Sequence, residues 1–271
     1  PDAVVCTYMV YPYMLDSLAS CTGRAVPYLT VVTDSFVINK SWLCSKSPLW
    51  AVTDPWTRAI MEEKGLPQDR LRVTGFPVNP VLGALAKEHP LSWKEGEPFR
   101  VLYFAQRSAR HARAELAGML DANPALHVTC ILGRRFRRIY PRIRDLRARY
   151  GRRLTVRGWT RRVPSYLAAS HVVVGKAGGA TVHEVLAAAR PMLVNFLLPG
   201  QEEGNTRLLE KLGGGGHVPD VRALASALQE MMADGGAQWR RMHENLLRAG
   251  MTGGSGRIAD LALKLAEEHT N

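Results

Sequence analysis

Two short stretches carry the residues best suited to chemistry. The first is Lys176-Ala177-Gly178-Gly179-Ala180-Thr181-Val182-His183-Glu184, and the second is Pro199-Gly200-Gln201-Glu202-Glu203-Gly204-Asn205. Paired glycines let a backbone approach an anion closely, and the free N–H groups of a helix start point at it. Such an amide nest, helped by the helix dipole, suits a phosphate. The same pair of glycines would equally serve a tight turn. The second stretch packs amide and carboxylate groups into one place, and these suit sugar hydroxyls, which both donate and accept hydrogen bonds. A phosphate nest beside a hydroxyl-reading loop suggests a nucleotide-sugar site.

The flanking patterns place both stretches. Val172-Val173-Val174-Gly175 reads as a short buried strand, followed by a helix from about Thr181 to Ala189. Met192-Leu193-Val194-Asn195-Phe196 reads as the next strand, with a polar loop over 199–205 and a second helix beginning near Gly204. This βαβα order predicts a parallel sheet, in which ligands bind beyond the carboxyl ends of the strands. Earlier strands are expected at 99–104, 127–132 and 154–156, and a first group near 3–6, 28–33, 49–53 and 71–74 with helices near 12–20 and 55–65. Gly213–Gly216 predicts a turn with positive φ ahead of a helix over Val221–Ala233. From Ser255 to Glu268, Ile258, Leu261, Ala262 and Leu265 share one helical face that would pack back across the molecule. Pro77, Pro80, Pro90 and Pro98, with Lys94-Glu95-Gly96-Glu97, mark a polar connection. The expected organisation is a partial Rossmann-like domain over 1–82, a linker over 83–98, a second Rossmann-like domain over 99–250 and a closing helix over 251–271.

At 271 residues, 46% of them hydrophobic, the chain can bury two cores. No run approaches the roughly 18–20 apolar residues of a membrane span. The opening Pro1-Asp2-Ala3-Val4-Val5-Cys6 has no basic-then-apolar leader, so no secretory signal is expected. Cys6, Cys21, Cys44 and Cys130 lack metal-binding spacing and read as small core residues of a reducing compartment. No metal site and no cofactor are expected. Residues 134–162 hold thirteen arginines and a single aspartate, a net +12 that equals the formal charge of the whole chain. Most of this block is expected as one helix, Phe136 to Arg149, with arginines nearly all round. That is either a solvated face or a dock for anionic lipid headgroups. Nucleic acid is disfavoured, because the block lacks the interleaved aromatics of a stacking platform.

The motifs above, with Arg190-Pro191, Gly213-Gly214-Gly215, Val32-Thr33-Asp34, Trp42 and Val73-Thr74-Gly75-Phe76-Pro77-Val78, resemble the monogalactosyldiacylglycerol synthase and processive diacylglycerol glucosyltransferase family. These are relatives of the enzyme that makes lipid II. The resemblance implies the α/β GT-B fold, two Rossmann-like domains with parallel sheets, the first of them incomplete here. It implies an inverting transferase that moves hexose from a UDP-sugar to a diacylglycerol-type lipid, peripheral on the cytoplasmic membrane face. In this family the part that would precede residue 1 carries the lipid-binding loop, so the chain is expected to be a fragment or one half of a split enzyme. The alternatives are a peptidoglycan-type transferase using a polyprenyl acceptor, and a non-catalytic nucleotide-sugar-binding half.

The resemblance also suggests roles. Gly178, Gly179 and the amides of Ala180 and Thr181 would hold the diphosphate, and Glu184 the ribose hydroxyls, unless it merely suits the helix dipole. Gly200, Gln201 and Glu202 would read the sugar, and Asn205 would contact the donor or brace the next helix. Gly158–Pro164 matches the base-binding loop, with the Val163 backbone facing uracil; Trp159 reads better as core. Two departures stand out. The glycine-rich loop expected after the first strand of the second domain is Ala105-Gln106-Arg107-Ser108-Ala109-Arg110-His111, where Arg107 or His111 would supply positive charge instead. The histidine expected after Thr33-Asp34 is absent, and Asn39 stands near its place. Asp34 either faces the cleft as a catalytic candidate or caps a turn; no catalytic base is named.

Overall fold

The computed structural model describes residues 1–88 and 91–270. Four strands, β1 (Val4–Cys6), β2 (Tyr28–Val31), β3 (Leu49–Val52) and β4 (Leu71–Val73), lie side by side in that order, all parallel. Val5 stands opposite Leu29, and Leu29 opposite Leu49. Helices α1 (Val10–Thr22) and α2 (Pro55–Glu63) make two of the crossovers. Helix α2 starts where it does because the Asp54 side chain accepts the Thr57 N–H at 2.8 Å and Pro55 fits the first helical position.

Helix α3 (Val81–Glu88) then leads into the second sheet. Its strands are β5 (Phe99–Phe104), β6 (Leu126–Ile131), β7 (Leu154–Arg157), β8 (Val172–Lys176), β9 (Met192–Phe196) and β10 (Gly215–His217). They pair in the order β10-β9-β8-β5-β6-β7, again all parallel. Val172, Val173 and Val174 are fully buried, as a strand covered on both faces requires. Covering helices are α4 (Ala109–Ala122), α5 (Phe136–Ile139), α6 (Arg144–Tyr150), α7 (Val163–Ala169), α8 (Gly179–Ala187), α9 (Gln201–Lys211), α10 (Val221–Met232) and α11 (Ala237–Ala249). The strand order reverses between β5 and β8, the switch point at which such sheets bind ligands. The long helix α12 (Gly254–Thr270) returns to the first sheet, where Ile258 joins Leu29, Val31 and Ala51 in one cluster with Leu261, Ala262 and Leu265 against it.

Several elements differ from the sequence expectation. The single arginine-rich helix is broken into α5, a 3-10 turn over Tyr140–Arg142 and α6. Pro141 lacks the N–H a continuing helix needs and restricts the residue before it. The proline-rich connection contains α3, whose Leu82 is buried in the core of the second domain; Pro90 lies outside the described residues. The loop expected over 199–205 is mostly helix, since α9 begins at Gln201 rather than near Gly204. The glycine run does turn, with Gly213 at φ 62°, but it continues into the unexpected strand β10. A Cβ on Gly215 would lie 1.8 Å from the Met192 carbonyl oxygen, so only glycine lets β10 pair with β9. Cys6 and Cys130 are buried as expected, whereas Cys21 and Cys44 are exposed on α1 and a 3-10 turn. Trp159, expected in the core, is 61% exposed, because the turn after edge strand β7 carries it out of the sheet.

Candidate functional site

At the switch point the strand ends open into a cleft of about 440 Å³. Phe104 and Gln106 line it after β5, Arg134 and Arg135 after β6, Lys176 at the end of β8, and Phe196 and Leu198 after β9. A second hollow of about 450 Å³ adjoins it, sharing Gln106, Arg135 and Phe196 and adding Arg107, His111 and Arg138. Five cationic side chains thus crowd one strand-tip region, with no carboxylate among its lining residues. A multiply charged anion is the ligand this field attracts.

Beside the cleft the two domains meet. Helix α8 starts at Gly179 with Gly178 as its cap, and no side chain caps it. Its first-turn N–H groups, those of Gly179, Ala180 and Thr181, have no intrahelical acceptor, which leaves them available to a phosphate. A Cβ on Gly179 would meet the Thr33 carbonyl oxygen of the first domain at 3.3 Å, and the side-chain nitrogens of Gln201 and Asn205 at 3.8 Å each. The two stretches singled out in the sequence are therefore neighbours, and the first domain is the third wall. Gly200, at φ 97°, makes the turn into α9 that brings Gln201 there. The Gln201 amide donates to Asp34 Oδ1 at 2.5 Å. Asp34 is buried, and its other oxygen accepts from Trp42 Nε1 at 2.8 Å. Burial pushes the Asp34 carboxyl above its ordinary value, while hydrogen bonds from Trp42, the Asn39 backbone and Gln201 oppose the shift. Asp34 thus both closes the turn toward Asn39 and touches the second domain.

Glu202 turns inward. It accepts from the Leu198 N–H at 2.9 Å and from Lys176 Nζ, so it braces the β8 and β9 tips rather than projecting into the cleft. Asn205 is fully buried; its amide donates to the Ala177 carbonyl at 2.9 Å, tying α9 to the loop before α8, and its Oδ1 has no partner. Glu184 lies one turn into α8, half-buried, its carboxyl raised by burial. Val163 is the first residue of α7 and lines neither hollow. Arg107 and His111 both line the second hollow. His111 sits in the first turn of α4, bonded to the Ser108 hydroxyl that caps the helix, and not in a loop. The Arg107 guanidinium lies 5.2 Å above the Phe196 ring and 3.6 Å from Glu115. Glu115 is buried and also accepts from Tyr103 and from Asn195 at 2.8 Å. A buried carboxylate so bonded holds the arginine over the strand tips.

Sequence reasoning passed over Lys176, Arg134, Arg135, Phe104 and Phe196 as lining residues. Lys176 stood inside the motif, but the two arginines were lost in the larger block of charge. That block divides in space. Arg134, Arg135, Arg137, Arg138, Arg161 and Arg162 follow the carboxyl ends of β6 and β7, whereas Arg144–Arg153 run back to the opposite end of the sheet. There Arg149 pairs with Asp121, and Arg153 donates to the carbonyls of Leu120 and Asn123 at the end of α4. Among the described residues no helix is long and apolar enough to cross a membrane, and no three His, Cys, Asp or Glu side chains gather to hold a metal.

His183 is buried at the domain contact, stacked on Phe76 at 4.3 Å, with Nε2 3.2 Å from the Ser35 hydroxyl. Desolvation pushes it down to about 3. The unfolded chain therefore binds a proton that the native chain refuses between roughly pH 6.5 and 3. Its contribution is complete above pH 6.5 and is lost as pH falls through that window. Thermal melts are expected to show Tm dropping from pH 7 to 4.5, with a shallower drop in His183→Gln; an identical slope in the two proteins would contradict this.

The family model of monogalactosyldiacylglycerol (MGDG) synthase matches residues 1–78. A processive diacylglycerol beta-glucosyltransferase of Bacillus subtilis is 23% identical over 276 residues, covering 100% of this chain and 70% of that protein. Its counterpart in Staphylococcus carnosus is 24% identical over 239 residues, 86% of this chain and 60% of the relative. A probable monogalactosyldiacylglycerol synthase 2, chloroplastic, of Oryza sativa is 25% identical over 262 residues, 89% of this chain and 50% of that protein. The chain thus spans between 50% and 70% of the length of these relatives. Among solved structures, UDP-GlcNAc 2-epimerase from Neisseria meningitidis bound to UDP-GlcNAc aligns with a TM-score of 0.71 at 13% identity, covering 97% of this chain and 76% of that one. MurG of Acinetobacter baumannii aligns at 0.64 and 15% identity, covering 94% and 76%. The fold is GT-B, and the resemblance drawn from the motifs is borne out.

Proposed function

We propose that this chain is the greater part of an inverting glycosyltransferase that moves a hexose from a UDP-sugar to a diacylglycerol-type lipid at the cytoplasmic face of a membrane. One observation carries the reading: Gly179, Gln201 and Asn205 converge with Asp34 where the two domains meet, beside a cationic switch-point cleft. The names of the relatives, glucosyltransferases and synthases of diacylglycerol lipids, supply the acceptor class. The diphosphate would rest on the start of α8, facing Lys176 and Arg135. As the leaving group gains charge, those amides and cations stabilise it more, which favours the transition state over the ground state. This needs no metal. The acceptor hydroxyl would approach from the first domain and attack the anomeric carbon opposite the leaving diphosphate. Asp34, of the first domain and with its carboxyl raised by burial, would be the candidate base on that side. Gln201 would exchange its bond to Asp34 for a sugar hydroxyl when the donor enters. The basic strand-tip edge would attract anionic lipid, each arginine near the surface adding about 1 kcal/mol.

Titration calorimetry with UDP, UDP-glucose, UDP-galactose and UDP-N-acetylglucosamine tests the donor site. Binding of UDP in the micromolar to millimolar range is expected, with one UDP-hexose preferred. No heat from UDP at millimolar concentration would remove the assignment.

A further inference from the structure

All six tryptophans lie among the described residues, and only Trp159 is exposed. Trp42, Trp50, Trp93 and Trp239 are buried, and Trp56 is half-buried against Phe36. A fully hydrated indole is an unfavourable use of a large apolar ring, and a single one at 61% exposure asks for a partner. Its surroundings name the chemistry. Trp159 follows β7, and the Arg161 guanidinium lies 5.6 Å from its ring. Gly158, just before it, lies against Phe136; a Cβ there would meet the Phe136 ring at 3.4 Å. The contact joins the Trp159 turn to α5, and Arg137 follows Phe136 on that helix, whereas Arg138 lines the hollow on its α4 side. Arg162 follows Arg161, and Arg134 precedes α5 across the tip of β6. Asp145, on α6, is the one acid of residues 134–162, and it is paired with Arg113 of α4.

We propose that Trp159 is an interfacial anchor that enters the headgroup region of an anionic phospholipid bilayer while Arg161, Arg162 and the neighbouring Arg134 and Arg137 bind the lipid phosphates. An indole ringed by arginines fits that layer, because one end of the ring is apolar, the other can donate a hydrogen bond, and the cations find anions at the same depth. Uracil stacking is the competing use of an exposed indole in this turn. The geometry favours the bilayer, because Trp159 lines neither hollow of the cleft while Arg134 and Arg135 do. The consequence is orientation. The cleft opens at the carboxyl end of β6, and the Trp159 turn follows the same end of its neighbour β7, so an anchored molecule presents its donor site to the bilayer surface. This rests on the membrane-lipid acceptor proposed above.

The experiment uses the whole chain with vesicles of phosphatidylcholine alone or with phosphatidylglycerol, some carrying brominated acyl chains, and calorimetry with UDP in parallel. Tryptophan fluorescence is expected to be quenched by brominated anionic vesicles, and Trp159→Phe should remove the quenched component, since the remaining tryptophans are covered. Trp159→Ala should float with anionic vesicles about tenfold less, and UDP heat should be unchanged in both variants. Unchanged quenching in Trp159→Phe, or equal flotation of Trp159→Ala and wild type, would overturn the anchor. Loss of UDP heat with flotation retained would overturn it in favour of base stacking. Absence of UDP binding by the wild type would instead strike the donor-site reading, whatever the vesicles show.

Discussion

Gly179→Trp is expected to weaken UDP binding at least about 100-fold, or roughly 2.7 kcal/mol. The position is tight toward the first domain: a Cβ already meets the Thr33 carbonyl oxygen at 3.3 Å and touches the Gln201 and Asn205 amides at 3.8 Å. An indole must therefore swing over the start of α8, where it covers the N–H groups that would face the phosphates. The variant should still fold, because Gly179 is only half-buried and begins its helix without a positive φ. Calorimetry against UDP, with circular dichroism as the control, reads the effect. Heat equal to that of wild type would place the diphosphate elsewhere.

Gly204→Ala carries the second large expectation, and its sign runs against helix propensity. Inside an exposed helix alanine would gain about 1 kcal/mol over glycine. Gly204, on α9, is buried against the first domain, and a Cβ there would lie 1.9 Å from the Ser35 carbonyl oxygen and 2.8 Å from the Val37 nitrogen. Both obstacles are backbone, so no rotamer change relieves them. Either the domains part or the first-domain turn moves, at about 3 kcal/mol. Urea denaturation should show the loss. Parting would also break the Gln201–Asp34 bond, three residues away along α9. A stabilised Gly204→Ala would mean the domains do not touch there.

Much of the fold can be read locally. Buried parallel strands appear as continuous apolar runs, so Val172–Val174 and Met192–Phe196 mark themselves. Strand β10 does not, because Gly215 and Gly216 carry no side chain to signal burial. Pro141 was visible, yet the density of arginines suggested an unbroken helix. Trp159 shows that apolar character does not imply burial. For the site, the two stretches on α8 and α9 were legible because turn chemistry and helix starts leave local marks. Their third wall was not. Asp34 and Gln201 are 167 residues apart, and no periodicity links them. Glu115 likewise reads as an ordinary helix surface acid until Tyr103, Asn195 and Arg107 are seen to converge on it.

Helix α12 gives the molecule a seam. Its start is pressed against the segment leaving the first sheet: a Cβ on Gly254 would lie 2.1 Å from the Phe76 carbonyl oxygen, Ser255 donates to the Val78 carbonyl at 2.5 Å, and Arg257 to that of Thr74 at 2.6 Å. Two chain crossings therefore run side by side, and any rotation of one domain against the other would have to turn about that pair like a door on two pins. The first half is also discontinuous along the polypeptide. Its wall over Leu29, Val31 and Ala51 is supplied by residues near the carboxyl terminus, so cutting the molecule after residue 82 would strip the cover from a sheet that its own neighbours in sequence cannot replace.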